Sequence, residues 1–414
     1  SKAILTLAQF YDKVASIQDK LEQPTQILIA RIADELPMPL SLLYPLTSGG
    51  KADKKPAGNG YMLWTDMVAA GKDTVLPKQD GKFDDCGAIL YSGGTTGTTK
   101  GIMLSNLNFN ALGLQTIAAS GFGSVAGMKM LSIMPVFHGF GLGIGIHTAL
   151  IGGATCILVP QFSVKIYADV LKKQKPNLIP GVPTLFEALL RAEGLDGVDL
   201  SFLKGIFAGG DCLSVELKKK VDDFLKAHNC HEQIREGYGT TECVTASCLT
   251  PRDYARSGSI GVPFPDTYYK IVKPGTTEEA PANTEGEICL SGPTVMLGYM
   301  DQPEETANTL RSHGDGRIWL HTGDLGHMDE DGFIYFRQRL RRMIITSGYN
   351  VYPSQLENII DGHDKVLISC VIGIKDQYRG QKIKAYVVPA PGVEPTEELK
   401  KELLEHCTAH MAKY

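Results

Sequence analysis

The cysteines of this sequence do not form the paired motifs of a zinc or redox site. There are nine of them, an odd number, and none stands in a Cys-x-x-Cys pair. They are spread through apolar segments, which is typical of reduced thiols in a cytoplasmic protein. Cys230-His231 and the pair Cys243 and Cys248 offer ligand atoms, but no second ligand pair with zinc spacing is near. We therefore interpret these cysteines as core or incidental residues.

The sequence also lacks a positive charge excess and a long hydrophobic run. Its net charge of −5 does not support nucleic-acid binding or an anchor to an anionic membrane. The longest apolar region, residues 137–160, is interrupted by glycines and histidines, so it indicates a tightly packed core and not a membrane span. No signal peptide, internal repeat or low-complexity tract is visible. We expect no nucleic-acid partner and no integral membrane segment.

What the sequence does contain is three regions of different pattern. Up to about residue 250, apolar strands alternate with amphipathic helices, which predicts layered α/β structure with a mainly parallel sheet. The first of these helices is predicted over residues 5–21. Short alternating segments separated by glycine, proline and Asp-Gly turns then predict an antiparallel β subdomain. From about residue 341, helices and strands predict a small α+β domain.

One stretch rich in glycine and hydroxyls, residues 91–101, has the composition of an anion-binding loop. It follows residues 86–90, which predict a buried strand, and it precedes a helix that can begin at Ser105. Glycine lets backbone N–H groups approach phosphate oxygens, hydroxyls add donors, and Lys100 adds a positive charge. A flexible surface turn is the alternative, and the spacing does not match the P-loop of ATPases. The candidate binding residues are Ser92, Gly93, Gly94, Thr95, Thr96, Gly97 and Lys100.

Residues 237–242, Gly-Tyr-Gly-Thr-Thr-Glu, form a second candidate site. Tyr238 is flanked by glycines and can stack on a base. Thr241 can donate to a phosphate, and Glu242 can hold a hard cation such as Mg²⁺ through oxygen. A plain strand and turn is the alternative interpretation.

Two later stretches offer a ribose ligand and a phosphate ligand. Asp324 follows a strand in a glycine turn, where a carboxylate can accept hydrogen bonds from both ribose hydroxyls; a simple turn residue is the alternative. Residues 337–342 include four arginines. An arginine at a domain junction can reach phosphate, although a solvated basic face is the usual reason for such a run.

In this order, the four stretches resemble the adenylate-forming superfamily, which includes acyl-CoA synthetases, the adenylation domains of peptide synthetases and firefly luciferase. The resemblance covers nearly the whole chain. The phosphate loop departs from the family pattern at Gly93, where serine is usual, and at Thr99, where proline is usual. The family's Tyr-Gly-x-Thr-Glu motif is intact at residues 238–242.

The resemblance implies a role for each matching residue. Tyr238 would stack on adenine, Thr241 would contact the phosphate, and Glu242 would hold Mg²⁺. Asp324 matches the ribose-binding aspartate, and Arg339 matches the arginine of the junction motif. The other matched positions are Gly209, Gly210 and Asp211 in the adenine-side loop, Gly239 beside the tyrosine, and His138 beside the acyl pocket. The implied catalytic set is Lys100, His138, Thr241 and Glu242.

The junction motif departs from the family pattern at two positions, and His138 has an alternative interpretation. At the junction, Gln338 stands where the family has glycine, and Arg341 stands where it has an Asp or Lys hinge residue. For His138, a core histidine whose ring is satisfied by the backbone is the alternative.

The resemblance also implies the fold: an α/β protein with the adenylate-forming enzyme fold. A layered α/β N-terminal domain with an antiparallel β subdomain would span residues 1–340, and a small α+β C-terminal domain would span residues 341–414. Both are expected to be partial. Much of the family's first subdomain would precede Ser1, and its lysine-bearing Gly-Lys motif would follow Tyr414.

The implied activity is that of an AMP-forming acyl-CoA synthetase, which uses ATP, Mg²⁺ and CoA. A carboxylate attacks the α-phosphorus of ATP, and the CoA thiol then displaces AMP. Residues 135–145 offer no acidic residue to pair a substrate ammonium, so a hydrophobic acid is expected, a medium- or long-chain fatty acid first and an aryl acid second. Transfer to a carrier protein, arrest at acyl-AMP, and a non-catalytic nucleotide-binding homologue are the alternatives, and a homodimer is left open.

Overall fold

The structure, a computed structural model, describes most of the chain. The described residues are 2–21, 25–78, 80–93, 99–160, 162–342, 344–346, 349–351, 353–376 and 380–410. The chain divides into two compact units, Ser1–Asp80 and Gly81–Tyr414. No described helix has both the length and the apolar character needed to cross a bilayer.

The smaller unit is built on a three-stranded parallel sheet. Its strands, in spatial order, are β1 (Ala3–Leu7), β2 (Gln26–Ala30) and β3 (Met62–Leu63). Its helices are α1 (Tyr11–Ala15), α2 (Ile32–Glu35), α3 (Leu40–Leu43), α4 (Ser48–Ala52) and α5 (Trp64–Gly71). The helix predicted over residues 5–21 is wrong in its first part, because Leu5 pairs with Leu28 of β2. Pairing with a neighbouring strand overrides the local helical spacing there.

The larger unit contains four sheets and the remaining helices. Its strands are β4 (Cys86–Gly93), β5 (Thr99–Ser105), β6 (Lys129–Ser132), β7 (Thr155–Leu158), β8 (Leu178–Gly181), β9 (Gly205–Ala208), β10 (Ile234–Tyr238), β11 (Cys248–Leu249), β12 (Val262–Pro263), β13 (Tyr268–Val272), β14 (Gly286–Ser291), β15 (Gly298–Tyr299), β16 (Leu310–Ser312), β17 (Ile318–Met328), β18 (Ile334–Arg339), β19 (Ile344–Thr346), β20 (Tyr349–Val351), β21 (Val366–Asp376) and β22 (Gly380–Pro389). Its helices are α6 (Asn106–Ser120), α7 (Ala149–Ile151), α8 (Val164–Gln174), α9 (Pro183–Leu190), α10 (Val215–Ala227), α11 (Pro303–Thr309), α12 (Pro353–Asp361) and α13 (Glu397–His410), and a π-helix spans Phe140–Thr148.

The predicted α/β layers are organised around a seven-stranded sheet of order β12-β11-β10-β9-β8-β6-β7. The strands from β10 to β7 are parallel. Successive strand residues face opposite layers. Leu178 packs with α6 and the π-helix, and Ile179 packs with α8, α9 and α10. The sheet is therefore covered on both faces, as expected for parallel strands.

The predicted helix start at Ser105 is confirmed, and a second serine caps α10. Ser105 and Asn108 form a reciprocal capping box at α6, and the Ser214 hydroxyl accepts from the first turn of α10. No side chain caps α9. That helix begins at Pro183, whose fixed φ suits the first helical position.

The strands that flank the predicted phosphate loop form an antiparallel hairpin. Ser92 pairs with Lys100, and Gly93 pairs with Thr99. The predicted order of strand, loop and helix is therefore wrong, because β5 intervenes before α6. The strand over residues 86–90 is confirmed, but it lies at an edge of its sheet and buries only Leu90 in that segment, so it is not a buried strand.

The rest of the larger unit has the predicted architecture. The sheet of β13, β14, β17, β16 and β18 is antiparallel. The last sheet, β20-β19-β22-β21, packs with α12 and α13 around buried residues such as Ile344 and Ile360. The predicted fold class is confirmed. The boundary after residue 340 falls in a 3₁₀ turn, Leu340–Arg342, and stays a prediction.

Candidate active site

Two neighbouring strands of the central sheet end at the same edge, and predicted site residues follow each of them. β9 ends at Ala208 and is followed by Gly209 and Gly210, whereas β10 ends at Tyr238 and is followed by Gly239. The two strands are parallel, so their carboxyl ends lie side by side. Open α/β sheets bind their ligands at such an edge.

The backbone explains two of the glycines. Gly210 has a φ of 80°, which disfavours other residues. A Cβ on Gly239 would lie 2.2 Å from the Thr245 carbonyl oxygen, so close packing of the chain requires glycine there. The third member of the adenine-side loop, Asp211, is exposed, and its Oδ1 accepts a hydrogen bond of 2.8 Å from the Cys212 N–H.

Tyr238, Asp324 and Arg339 come together although they are far apart in the sequence. The Tyr238 hydroxyl donates to Asp324 Oδ2 at 2.6 Å. Arg339 lies opposite Asp324 in the β17–β18 pair, with its Nε 3.5 Å from Oδ1. Asp324 is only 3% exposed, and its Oδ1 accepts no hydrogen bond from the described residues. A buried carboxylate oxygen with spare acceptor capacity suits a ribose hydroxyl.

Burial sets the protonation of this pair. Burial raises the pKa of Asp324 to about 6, whereas the Tyr238 hydrogen bond and the Arg339 charge act in the opposite direction. Burial also raises the pKa of Tyr238, so its hydroxyl stays protonated and can donate. The candidate ribose ligand therefore changes charge close to neutral pH.

We expect the affinity for ATP to fall as the pH is lowered through about 6. Protonation of Asp324 places a hydrogen on a group that must accept hydrogen bonds. Calorimetric titration of ATP between about pH 5 and 8 measures the effect. Asp324→Asn is the control, because asparagine has no carboxyl that titrates. The ATP phosphates titrate in the same way in both experiments. The same pH dependence in both proteins would contradict the prediction.

Tyr299, which the sequence did not single out, connects Lys100 of the predicted phosphate loop with Glu242, the predicted Mg²⁺ ligand. The Tyr299 hydroxyl donates to Glu242 Oε1 at 2.9 Å. Lys100 Nζ lies 4.7 Å from the centre of the Tyr299 ring and forms an ion pair with Glu305. Tyr299 thus holds the Glu242 carboxylate and the Lys100 ammonium on one aromatic side chain.

Long-range pairing explains why Tyr299 was missed. It lies on β15, which pairs with β5 so that Tyr299 is opposite Ile102. This register brings it beside Lys100, although some 200 positions separate them in the sequence. The Gly-Tyr dipeptide of β15 has no local pattern that marks a site.

Thr241 and Glu242 begin a short 3₁₀ helix directly after the Tyr238 strand. Glu242 presents carboxylate oxygen, the hard ligand that Mg²⁺ prefers. Its half-buried side chain, fixed by Tyr299, is compatible with the predicted metal role. Thr241 is also half-buried, and its contact with a phosphate stays a prediction.

His138 lies at the start of the π-helix and is exposed. Its Nδ1 accepts a hydrogen bond of 3.1 Å from the Phe140 N–H, and partial desolvation lowers its pKa. The ring is therefore neutral and carries its hydrogen on Nε2. This backbone contact agrees with the alternative of a histidine satisfied by the main chain, although His138 is not in the core. Its catalytic role stays a prediction.

An apolar cavity opens beside the two glycine turns. It encloses about 720 Å³, counting the solvent at its mouth, and none of the described residues that line it is charged. Its walls come from α6, the π-helix and one face of the central sheet, with Phe140, Ile144, Phe207 and Phe264 among the side chains. Such a lining favours an uncharged apolar ligand.

The cavity runs along the sheet. It begins at the carboxyl edge beside Gly209 and Gly239, and it reaches Leu178 and Met130 near the amino ends of β8 and β6. Leu178 is level with Gly205 in the parallel register, four residues before Gly209. At about 3.3 Å per residue, the cavity therefore extends about 13 Å from the glycine turns.

Part of the predicted phosphate loop lies outside the described residues, namely Gly94, Thr95, Thr96 and Gly97. Ser92 and Gly93 end β4, and Lys100 lies on β5. Their binding roles stay predictions.

Known proteins were compared with this chain by sequence and by structure. The sequence profile of the AMP-binding enzyme family matches residues 1–300, and that of the AMP-binding enzyme C-terminal domain matches residues 355–414. A long-chain-fatty-acid–CoA ligase of Bacillus subtilis (strain 168) is 37% identical over 405 residues, which are 96% of this chain and 70% of that protein. A probable 4-coumarate–CoA ligase 1 of Dictyostelium discoideum is 32% identical over 346 residues, which are 83% of this chain and 60% of that protein.

The fold has a solved counterpart. The crystal structure of ATP-bound MatB from Rhodopseudomonas palustris matches with a TM-score of 0.81 and 26% identity, over 100% of this chain and 73% of that one. The two profiles cover most of the chain in the order of its domains, and the match to the Bacillus ligase extends through both. The chain belongs to the AMP-binding enzyme family, the adenylate-forming superfamily that its motifs resemble.

Proposed function

We propose that the protein is an AMP-forming acid–CoA ligase whose substrate is a medium- or long-chain fatty acid. The uncharged cavity that extends about 13 Å along the sheet from the glycine turns carries the proposal. An extended alkyl chain fits this length and lining. The long-chain-fatty-acid–CoA ligase from Bacillus subtilis supports the same substrate class.

In this proposal the acid and ATP meet at the carboxyl edge of the sheet. Asp324 accepts hydrogen bonds from the ribose, with Tyr238 and Arg339 fixing its two oxygens. The cavity takes the alkyl chain, which leaves the substrate carboxylate at the mouth beside Gly239. Holding the carboxylate near the α-phosphorus lowers the entropic cost of the first step. No side-chain nucleophile is needed, because the substrate carboxylate attacks the α-phosphorus. The bond from the α-phosphorus to the bridging oxygen breaks, and pyrophosphate leaves.

The phosphates require positive charge and oriented donors. Lys100 and the hydroxyl of Thr241 would neutralise and orient them. Glu242 would hold Mg²⁺, which supplies further charge neutralisation when bound. In the second step the CoA thiol displaces AMP from the acyl-adenylate, and the bond from the acyl carbon to phosphate oxygen breaks. We also propose the domain boundary after residue 340, where a hinge would separate the two steps.

A pyrophosphate-exchange assay on the full-length protein, with a panel of acids, tests the proposal. The panel contains alkyl acids of increasing length, aryl acids and amino acids. We expect exchange to be fastest with a medium- or long-chain alkyl acid. Exchange with amino acids alone would contradict the proposal, and no exchange with any acid would favour the non-catalytic homologue.

One hydroxyl in the cavity favours a second candidate, a hydroxylated aryl acid. Thr116 lines the cavity, and its buried Oγ1 has no hydrogen-bond partner among the described residues. An unpaired buried hydroxyl costs free energy that a polar group on the ligand can recover. The Dictyostelium relative carries the name of a 4-coumarate–CoA ligase, which is consistent with such an acid.

Thr116→Val should separate the two candidates. Valine keeps the shape of the side chain but removes the unpaired hydroxyl. We expect kcat/KM for alkyl acids to stay equal or rise, since the variant buries no unpaired polar atom. For a hydroxylated aryl acid that uses Thr116, kcat/KM should fall about tenfold. Ser120→Ala is the control, because that hydroxyl already donates to the Ile117 carbonyl at 2.6 Å.

A further inference from the structure

Three side chains with metal-ligand atoms meet in the antiparallel subdomain, outside the proposed active site. They are Cys289 on β14, His321 on β17, and His313 in the turn before β17. One ligand atom from each lies within 4.8 Å of the other two. Cys289 and His321 are directly opposite in the strand register, so the sheet itself fixes their spacing. The cluster joins residues that no sequence spacing connects.

Glu287 fixes which nitrogen of His321 is available. Its Oε2 lies 2.9 Å from His321 Nδ1. Because a carboxylate accepts hydrogen bonds, Nδ1 carries the hydrogen and Nε2 presents a lone pair. A carboxylate on the distal nitrogen is the usual support for a metal-bound histidine, since it sets the tautomer and the ring orientation.

The second histidine faces that lone pair. His313 Nε2 lies 3.0 Å from His321 Nε2. Two nitrogens bound to one tetrahedral zinc ion at about 2.05 Å would be about 3.3 Å apart, so a small movement suffices. The His313 ring stacks on Trp319 with their centres 5.5 Å apart. Its Nδ1 is buried and has no hydrogen-bond partner in the described chain.

We propose that Cys289, His313 and His321 bind a transition-metal ion of the zinc class. Two imidazoles and a thiolate form a borderline-soft donor set that suits Zn²⁺ or Co²⁺. The thiol releases its proton to solvent when its sulfur binds the ion. Glu242, with hard oxygen only, would select a different metal. The two metal sites are therefore distinguished by their chemistry.

The proposed ion is connected to the candidate ribose site through one side chain. Glu287 contacts His321 through Oε2, and its Oε1 accepts a hydrogen bond of 3.1 Å from the Gly323 N–H. Gly323 immediately precedes Asp324 and has a φ of 70°. Binding of an ion at His321 would hold Glu287, and with it the irregular part of β17 that presents Asp324.

Titration of the metal-stripped 414-residue protein with Co²⁺ alone tests the proposal. We expect uptake of one ion per chain and a thiolate-to-cobalt charge-transfer band in the near ultraviolet. Cys289→Ser should abolish the band. Cys230→Ser, which alters a buried cysteine outside the cluster, should leave it unchanged. Absence of saturable uptake in the wild type, or a band that persists in Cys289→Ser, would overturn the proposal.

Two further variants keep the test decisive if the core substitution impairs folding. His313 is only partly buried, so His313→Ala leaves the strands intact and should weaken Co²⁺ binding. Glu287→Gln removes the carboxylate behind His321 and should weaken binding by about 10- to 100-fold. Unchanged Co²⁺ affinity in both variants would contradict the assigned ligands.

Discussion

Glu242→Gln is expected to lower the rate of acid-dependent pyrophosphate exchange by about 100-fold. The amide keeps the size of the side chain and an acceptor for Tyr299, but it lacks the charge that would hold Mg²⁺ beside the phosphates. Metal-borne charge stabilisation is worth several kcal/mol, and about 3 kcal/mol corresponds to this loss. Exchange at saturating acid and ATP measures it. Glu216→Gln, on an exposed part of α10, should leave the rate unchanged.

Tyr299→Phe tests whether the Tyr299 hydroxyl positions Glu242. The variant keeps the ring beneath Lys100 but removes the hydroxyl that donates to Glu242. We expect the Mg²⁺ concentration needed for half-maximal exchange to rise about tenfold, which is the cost of one hydrogen bond to a charged group. An unchanged Mg²⁺ requirement in Tyr299→Phe would show that the tyrosine does not position Glu242.

Arg235→Met is expected to give the largest loss of stability, about 3 kcal/mol in the free energy of unfolding. Arg235 is 5% exposed and donates to the carbonyl groups of Thr250, Ser120 and Ala119 at 2.8 to 2.9 Å. Burial lowers its pKa to about 10, so it is still charged at neutral pH. Methionine fills similar space but leaves these three carbonyl groups without the hydrogen bonds that Arg235 donates.

Arg252→Met is the matched control for this prediction. Arg252 lies over a phenylalanine ring, 5.2 Å from the centre of Phe122. It is more exposed than Arg235 and forms an ion pair with Glu232. Loss of such a surface contact should cost less than about 1 kcal/mol. Urea denaturation measures both variants. Equal destabilisation of the two would contradict the role given to Arg235.

The motifs of the sequence predict Tyr238 and Asp324 as site residues. Tyr238 ends β10, whereas Asp324, predicted to follow a strand in a glycine turn, lies inside β17, because β17 continues to Met328 in its pairing with β14 and β18. Each of the two residues follows a glycine, in a motif that could be matched to a family. Their hydrogen bond then brings together strands of two different sheets. No local pattern contains that contact, because the two residues are 86 positions apart.

The parts that could not be predicted depend on pairing between distant strands. Residues 99–105 carry no signal that separates a strand from the approach to a helix, and only the register of Ser92 with Lys100 shows the hairpin. Only strand pairing shows that Tyr299 lies against β5 and that Cys289 lies opposite His321. The helix predicted over residues 5–21 failed for this reason, since β2 determines the conformation of β1.

The ion pair between Lys100 and Glu305 affects which anions can bind Lys100. A phosphate that takes Lys100 must displace a carboxylate already bound to it, so the exchange of partners yields little net free energy. A free phosphate or sulfate ion, with no other contact to the protein, is therefore a poor competitor. In the proposed function, a nucleotide held at Asp324 would carry its phosphates to Lys100 at high effective concentration. Glu305 would thus make Lys100 selective for anions that belong to a larger bound ligand.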